Sequence, residues 1–206
     1  YLETVPVDEE RLQKQPFRFP VQWVNRPNLD FRGFAGTVSG GIVKAGDPIR
    51  VQPSGRTSRV ARIVTASGDL EHAVAGQSVT LTLADEVDVS RGDVLSGTDA
   101  PPECADQFET TLVWMHDEPM LPGRGYLLKI GNRTVSAQVT DIKYQVDVNT
   151  MEHLAAKQLA LNAIGVCNLS LDRQIPFDPY TENRATGSYL LIDRMTNNTV
   201  GARVLP

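Results

Sequence analysis

Few side chains in this sequence could do chemistry, and their spacing argues against most of it. His116-Asp117-Glu118 is the one cluster of potential metal ligands. Neighbouring residues at a strand end point to different sides, and His72 and His153 bear no spacing relation to the cluster. It reads as a solvated turn. With 3 histidines in all, no Ser/His/Asp arrangement can be argued, and no carboxylate pair stands apart from the rest. Cys104 and Cys167 form no CxxC and have no paired histidines nearby, which favours two free thiols over a disulfide. Asp30-Phe31-Arg32-Gly33 spells the DxxG string of GTPases. A phosphate site also needs glycines that expose backbone N–H groups and a lysine that reaches the β and γ phosphates. The chain contains no Gly-Lys dipeptide, so the four-residue match is chance. Arg91-Gly92-Asp93 is a turn between strands. Asn132-Arg133-Thr134, Asn168-Leu169-Ser170 and Asn197-Asn198-Thr199 fit the glycosylation pattern, but no secretory signal accompanies them and they are expected to be unmodified.

Two loops remain that are dense in directional polar groups. One holds Asn25, Arg26, Asn28, Asp30 and Arg32; the other, residues 180–186, holds Asn183 and Arg184. Arg and Asn make several geometrically fixed hydrogen bonds, which suits a docking surface. The alternative is that both loops only cap the ends of a barrel. These seven residues are the candidates for contact with another domain or a partner; no residue qualifies as catalytic, cofactor-binding or metal-binding.

The elements that must position the loops are strands. Residues 17–23 alternate, with Phe17, Phe19, Val21 and Trp23 on one face and Arg18, Pro20 and Gln22 on the other, the period of a half-buried strand. A returning strand is expected over 32–43, closed by turn chemistry at Lys44-Ala45-Gly46-Asp47. Further strands are expected at 49–52, 57–65, 78–83 and 94–95, with Ser67-Gly68-Asp69 and Arg91-Gly92-Asp93 as turns. Asp99-Ala100-Pro101-Pro102-Glu103 reads as a boundary, because two prolines cannot donate to a ladder and stiffen the connection. Beyond it, Phe108, Thr110, Leu112 and Trp114 alternate as at the start of the chain. Strands at 126–130, 135–145, 165–171, 188–194 and 199–205 follow. The one helical signal is Asn149-Thr150-Met151-Glu152, a capping-box pattern that predicts at most two turns over the residues that follow. The expected fold is all-β: two antiparallel β-barrels in series. Residues 1–16 are expected to be a linker from a missing N-terminal domain, 17–100 the first barrel and 101–206 the second.

Composition sets the outer bounds. The 206 residues are 41% hydrophobic and 22% charged, which is ordinary for a globular chain. A net charge of −5 and the lack of any Lys/Arg run offer no field for nucleic acid or an anionic membrane. Apolar runs are short, so neither a membrane helix nor a signal peptide is expected. The first residue is Tyr1, without Met, and the sequence reads as a piece of something longer.

Several blocks carry a resemblance. They are FRFPVQWVNRPNLDFRG at 17–33, Pro53-Ser54-Gly55 with Thr57-Ser58-Arg59-Val60, and DEVDVSRGD at 85–93. In the second half they are LVWM at 112–115, EPMLPG at 118–123, QVDVNT at 145–150, NRATG at 183–187 and IDRMTNNTVGA at 192–202. Together they resemble the GTPase (large) subunit of the bacterial heterodimeric sulfate adenylyltransferase. More distantly, the two barrels and the closing Thr-Val-Gly hairpin look like domains II and III of elongation factor Tu.

The resemblance implies a cytoplasmic parent with an N-terminal GTPase domain that holds GTP and Mg, followed by two barrels. It implies a small catalytic partner subunit that makes adenosine 5′-phosphosulfate from ATP and sulfate, driven by GTP hydrolysis. The barrels would then be non-catalytic and bind no cofactor. Their partners would be their own GTPase domain and the small subunit, with no nucleic acid and no membrane; residues 1–7 would be the tail of the last GTPase-domain helix. A tRNA-binding, translation-factor-like module is the alternative, and an independent interaction barrel a third reading.

Overall fold

A computed structural model describes residues 9–204; the expectation for residues 1–7 lies outside them. The chain divides between Pro102 and Glu103 into two compact units, and strands carry nearly all of the order in both.

The first unit opens with a short helix, α1 (Glu9–Gln13), followed by β1 (Arg18–Asn25), β2 (Gly33–Thr37), β3 (Ile42–Lys44), β4 (Pro48–Gln52) and β5 (Thr57–Thr65). Then come β6 (Gly68–Leu70), β7 (His72–Val74), β8 (Ser78–Leu83) and β9 (Val94–Gly97). Strands pair in the order β4-β9-β1-β2-β8-β5, and β5 pairs back onto β4, which closes the ring. Closure removes the exposed edges that an open sheet would offer to other chains. Alternate residues fill the interior, with Phe19, Ile49, Val51, Ile63, Leu81 and Leu95 fully buried. Each such side chain stabilises the fold by about 1.5–3 kcal/mol.

The second unit comprises β10 (Glu103–Trp114), β11 (Gly125–Ile130), β12 (Arg133–Val146), β13 (His153–Leu154), β14 (Ile164–Phe177), β15 (Ser188–Asp193) and β16 (Thr199–Val204). The order β11-β15-β16-β10-β14-β12 closes through β11–β12 pairing. The rings of Trp114 and Tyr126 meet edge to face inside it at 5.7 Å. The all-β class with two antiparallel rings is therefore as the sequence indicates.

Four local expectations fail, each for a physical reason. Trp23 does not continue the inward face of β1, because a bulge between Val21 and Trp23 adds a residue and turns the indole outward, to 62% exposure. Arg18 is inward and 4% exposed, with its guanidinium donating to the carbonyls of Phe17 and Ala100. The strand expected over 32–43 splits after Thr37. Gly41, at φ +72°, carries the chain past Phe17, whose backbone N would lie 2.6 Å from a Cβ there. β3 then pairs with β7 as a separate ribbon; β6 and β7 lie where the sequence shows only a turn.

The helix expected after Asn149 is absent. Asp147 accepts the backbone N–H groups of Asn149 and Thr150 at 2.8 and 3.2 Å, and Met151 is left-handed at φ 62°. The following residues are spent on sheet pairing instead. His153 and Leu154 pair with β12, and Leu159 exchanges backbone hydrogen bonds with Met120.

Candidate interaction surfaces

The loop over residues 25–32 is mounted on the paired ends of β1 and β2, where Asn25 lies opposite Gly33. Its shape comes from its own side chains: the Asn28 carboxamide oxygen accepts the Asp30 backbone N–H at 3.1 Å. Asn25, Arg26, Asn28 and Asp30 are exposed. Arg32 is half-buried, its guanidinium 5.5 Å above the Phe34 ring and 3.9 Å from Asp88. Asp88 is 89% exposed, so this ion pair contributes well under about 1 kcal/mol. The loop therefore presents its charges at little cost in stability.

Below the loop is a cleft of about 280 Å³, lined by Arg26, Asp30, Arg32, Arg62, Asp85 and Glu86 among others. Three guanidiniums face three carboxylates there, and Arg62 is engaged by Asp69 at 2.6 and 3.0 Å. Balanced charge of this kind suits a protein surface with its own mixed charges; a phosphate group would meet repulsion from the carboxylates. Leu29 lines the same cleft at 88% exposure, and Trp23, on the strand that leads into the loop, is 62% exposed. Trp23 is a contact candidate that alternation hid, because the bulge that exposes it has no Gly or Pro to mark it. Exposed Trp and Arg are side chains enriched in interface cores.

The second loop divides its two candidates. Asn183 is 5% exposed, and its carboxamide oxygen accepts the backbone N–H groups of Ala185 and Thr186 at 3.0 and 3.3 Å. Thr186 in turn donates its hydroxyl to the buried Asp178 carboxylate at 2.6 Å. Asn183 thus shapes the loop from inside. Arg184 faces solvent, its guanidinium 5.6 Å above the Tyr180 ring. It borders a largely apolar groove of about 640 Å³ on the outer wall of the barrel, between Lys129, Tyr180, Leu190 and Met115. The structure brings the first five candidates together on one loop and puts Arg184 on a separate body.

Outside these surfaces the reactive groups are quiet. Cys104 and Cys167 are both free, and burial pushes the Cys167 thiol up to about 12. His116 Nδ1 accepts the Glu118 backbone N–H at 3.1 Å within an exposed turn. Among the described residues, no group of three His, Cys, Asp or Glu side chains could hold a metal ion, and no helix is long and apolar enough to cross a membrane.

Comparison with known proteins places the chain among relatives. Residues 107–205 match the family described as GTP-eEF1A C-terminal domain-like. Sulfate adenylyltransferase subunit 1 of Shewanella woodyi is 50% identical over 204 residues, covering 99% of this chain and 43% of that one. The bifunctional enzyme NodQ of a Rhizobium species (strain N33) is 54% identical over 205 residues, covering 100% of this chain and 32% of that one. The bifunctional enzyme CysN/CysC of Xylella fastidiosa is 56% identical over 186 residues, covering 90% of this chain and 30% of that one. The chain thus spans less than half the length of these curated relatives. Among solved structures, Sup35 complexed with GDP superposes with a TM-score of 0.85 at 18% identity, over 96% of this chain and 48% of that one. The translation elongation factor SelB of Methanococcus maripaludis, in its apo form, gives 0.77 at 19%, over 99% and 45%. At such identities the likeness is one of fold.

Proposed function

The chain is a relative, over 90–100% of its length, of sulfate adenylyltransferase subunit 1 and of the NodQ and CysN/CysC enzymes, and on that premise we propose that its two barrels are the coupling half of a sulfate-activating subunit. In this reading a GTPase domain precedes the barrels and holds GTP and Mg. A small second subunit joins ATP and sulfate into adenosine 5′-phosphosulfate with release of pyrophosphate, in the cytoplasm, on the way to cysteine. GTP hydrolysis drives that uphill step. The barrels carry no part of either reaction; they pass the GTPase state to the catalytic subunit.

One observation carries the reading: identity of about half the residues to subunit 1 across 204 positions, in a chain without any Gly-Lys phosphate loop. The physical route is rigid-body coupling. A closed barrel is stiff, so a loop on its rim moves with the whole body when a neighbouring domain changes state. The exposed loop over 25–32, with Leu29, Arg26 and Arg32 around one cleft and Trp23 exposed on the strand that leads into it, is the surface that we assign to that contact.

The test uses the full-length parent and its second subunit. Pyrophosphate release from ATP and sulfate is measured with and without GTP, for the wild type and for an Arg26→Ala/Arg32→Ala variant. The expected result is GTP-stimulated synthesis in the wild type and loss of the stimulation, with GTP hydrolysis retained, in the variant. Wild-type protein that binds tRNA in a steeply salt-dependent manner and yields no GTP-stimulated pyrophosphate would overturn the reading in favour of a translation-factor-like module.

A further inference from the structure

We propose that one end of the second barrel, formed by residues 115–124, 147–163 and 194–198, is the face on which the second polypeptide of the enzyme docks, through apolar contacts rich in methionine. The inference rests on the sulfate-activating reading above and adds where the partner sits. Strand register sets the three segments at the same end: Val113 lies opposite both Ile164 and Ala202, Gln145 opposite Gly165, and Tyr126 opposite Asp193. They are laced together there. The Trp114 indole N–H donates to the Glu118 carbonyl, the Asn162 backbone N–H to the Trp114 carbonyl, and the Met115 backbone N–H to the Val200 carbonyl, each at 2.8 Å.

On this stiff frame the apolar side chains point out. Met195 is 87% exposed, Met151 70%, Val148 61% and Leu121 53%, with Leu161 and Met115 at 45% and 42%. Isolated exposed apolar residues are ordinary, but a group at one end of a barrel whose core is already filled marks a contact surface. Methionine is the side chain best able to adapt to a partner. Met151 is also held at φ 62°, a left-handed conformation that a bulky residue adopts at a cost of about 1–2 kcal/mol. The turn sustains that conformation while leaving the side chain in solvent.

The course of the chain selects the occupant. β10 enters the barrel at Glu103, which pairs with Phe177 at the far end, and β16 runs from Thr199 at this end toward Val204 at the far one. Twelve residues of β10 span about 40 Å. A continuation of the same chain would have to travel that length to cover the methionines, whereas a separate polypeptide meets them directly. Relatives called subunit 1 are built to meet one. The same segments carry exposed Asp117, Glu118 and Glu152 together with exposed Arg124, Lys157 and Arg194, so side chains of both charges are expected on the partner around the apolar contacts.

The experiment compares full-length wild type with Leu121→Asp/Met151→Asp and, separately, Met195→Gln, in sedimentation titrations against the second subunit. Thermal unfolding of each variant serves as the folding control. The dissociation constant should rise about tenfold or more for the double variant and severalfold for Met195→Gln, with the thermal midpoint unmoved. Unchanged affinity in both variants overturns the inference while leaving the functional reading intact. So does a change confined to self-association of the isolated chain, which would assign the face to a second copy. Wild-type protein that does not associate with the second subunit at all instead sinks the functional reading, and the inference with it.

Discussion

The Arg124 guanidinium donates to the Asp193 carboxylate across 2.6 Å and so ties the loop before β11 to the turn after β15. Asp193 is 3% exposed, and its other oxygen accepts the backbone N–H groups of Met195 and Thr196 at 2.9 and 3.0 Å. The N–H of Thr196, then that of Met195, and then Arg124 favour the ionised carboxyl and hold it down to about 2. The turn that carries Met195 therefore hangs on one carboxylate.

That arrangement has a pH signature. A carboxyl whose folded value is depressed contributes stability that is complete above its ordinary value of 3.8 and is lost as pH falls through about 2. Asp193→Asn keeps an acceptor for the two amides but removes the charge. The variant should be less stable than wild type at pH 7 and should converge with it between pH 3.8 and about 2. Urea midpoints measured across that range check this; a constant gap at every pH would refute it.

Leu159 is fully buried and packs against Gly165, where a Cβ would come within 2.7 Å of its side chain. Leu159→Ala should cost about 2–5 kcal/mol, the range for truncating a fully buried leucine. Leu161→Ala, two residues on and 45% exposed, should change stability by less than about 0.5 kcal/mol. Urea unfolding of the two variants gives the comparison, and similar costs for both would show that the segment is not anchored through Leu159.

The same segment shows where sequence stops being informative. The alternation at 78–83 is legible because one face of that strand lies inside a barrel and repeats every second residue, whereas in 57–65 the period breaks at a register shift between Val60 and Arg62, so that Ser58, Val60 and Ile63 are the buried positions. The helix signal at Asn149 fails because the amides that a cap there would serve have other partners: that of Met151 donates to the Asp147 carbonyl and that of Glu152 to the Thr150 hydroxyl. The sheet then claims His153 and Leu154. Nothing local announces either competitor. The bulge that exposes Trp23 is equally silent, since it depends on register with β2. The polar loops could be found from composition alone. The methionine face could not, because a methionine in a loop and one in a core look the same until the chain is folded; Met120 is fully buried five residues from the exposed Met115.

Cysteine reactivity should follow burial. Cys167 is fully buried, and burial, reinforced by Asp141, lifts its thiol to about 12. Cys104 is partly exposed; burial raises it too, but the Arg133 charge opposes the shift. An aromatic disulfide reagent at pH 8 should label Cys104 first and Cys167 only at the rate of unfolding. The sign for stability is the reverse of the Asp193 case. The neutral thiol is favoured in the folded chain, so the contribution of Cys167 is intact below its ordinary value of 9.0 and is lost as pH rises to about 12. Equal labelling rates for the two thiols in the folded protein would contradict the burial of Cys167.

The loop over 25–32 separates a contact role from a capping role. If its side chains only capped the barrel, removing them would destabilise the first unit. If they meet another body, stability would hold and coupling would fail. The geometry favours the second outcome. Arg32 meets Asp88 only at 3.9 Å and with Asp88 almost fully exposed, while Leu29 is 88% exposed. Arg32→Ala and Leu29→Ala should each shift stability by less than about 1 kcal/mol. If the proposed sulfate-activating role holds, the same changes in the full-length parent with its second subunit should reduce GTP stimulation of pyrophosphate release severalfold or more while leaving GTP hydrolysis in place. Asn183→Ala is the contrast: it leaves the Ala185 and Thr186 amides without their acceptor in a buried turn, at a cost of about 1–3 kcal/mol. Destabilisation of that size from Arg32→Ala, with coupling intact, would return the first loop to a capping role.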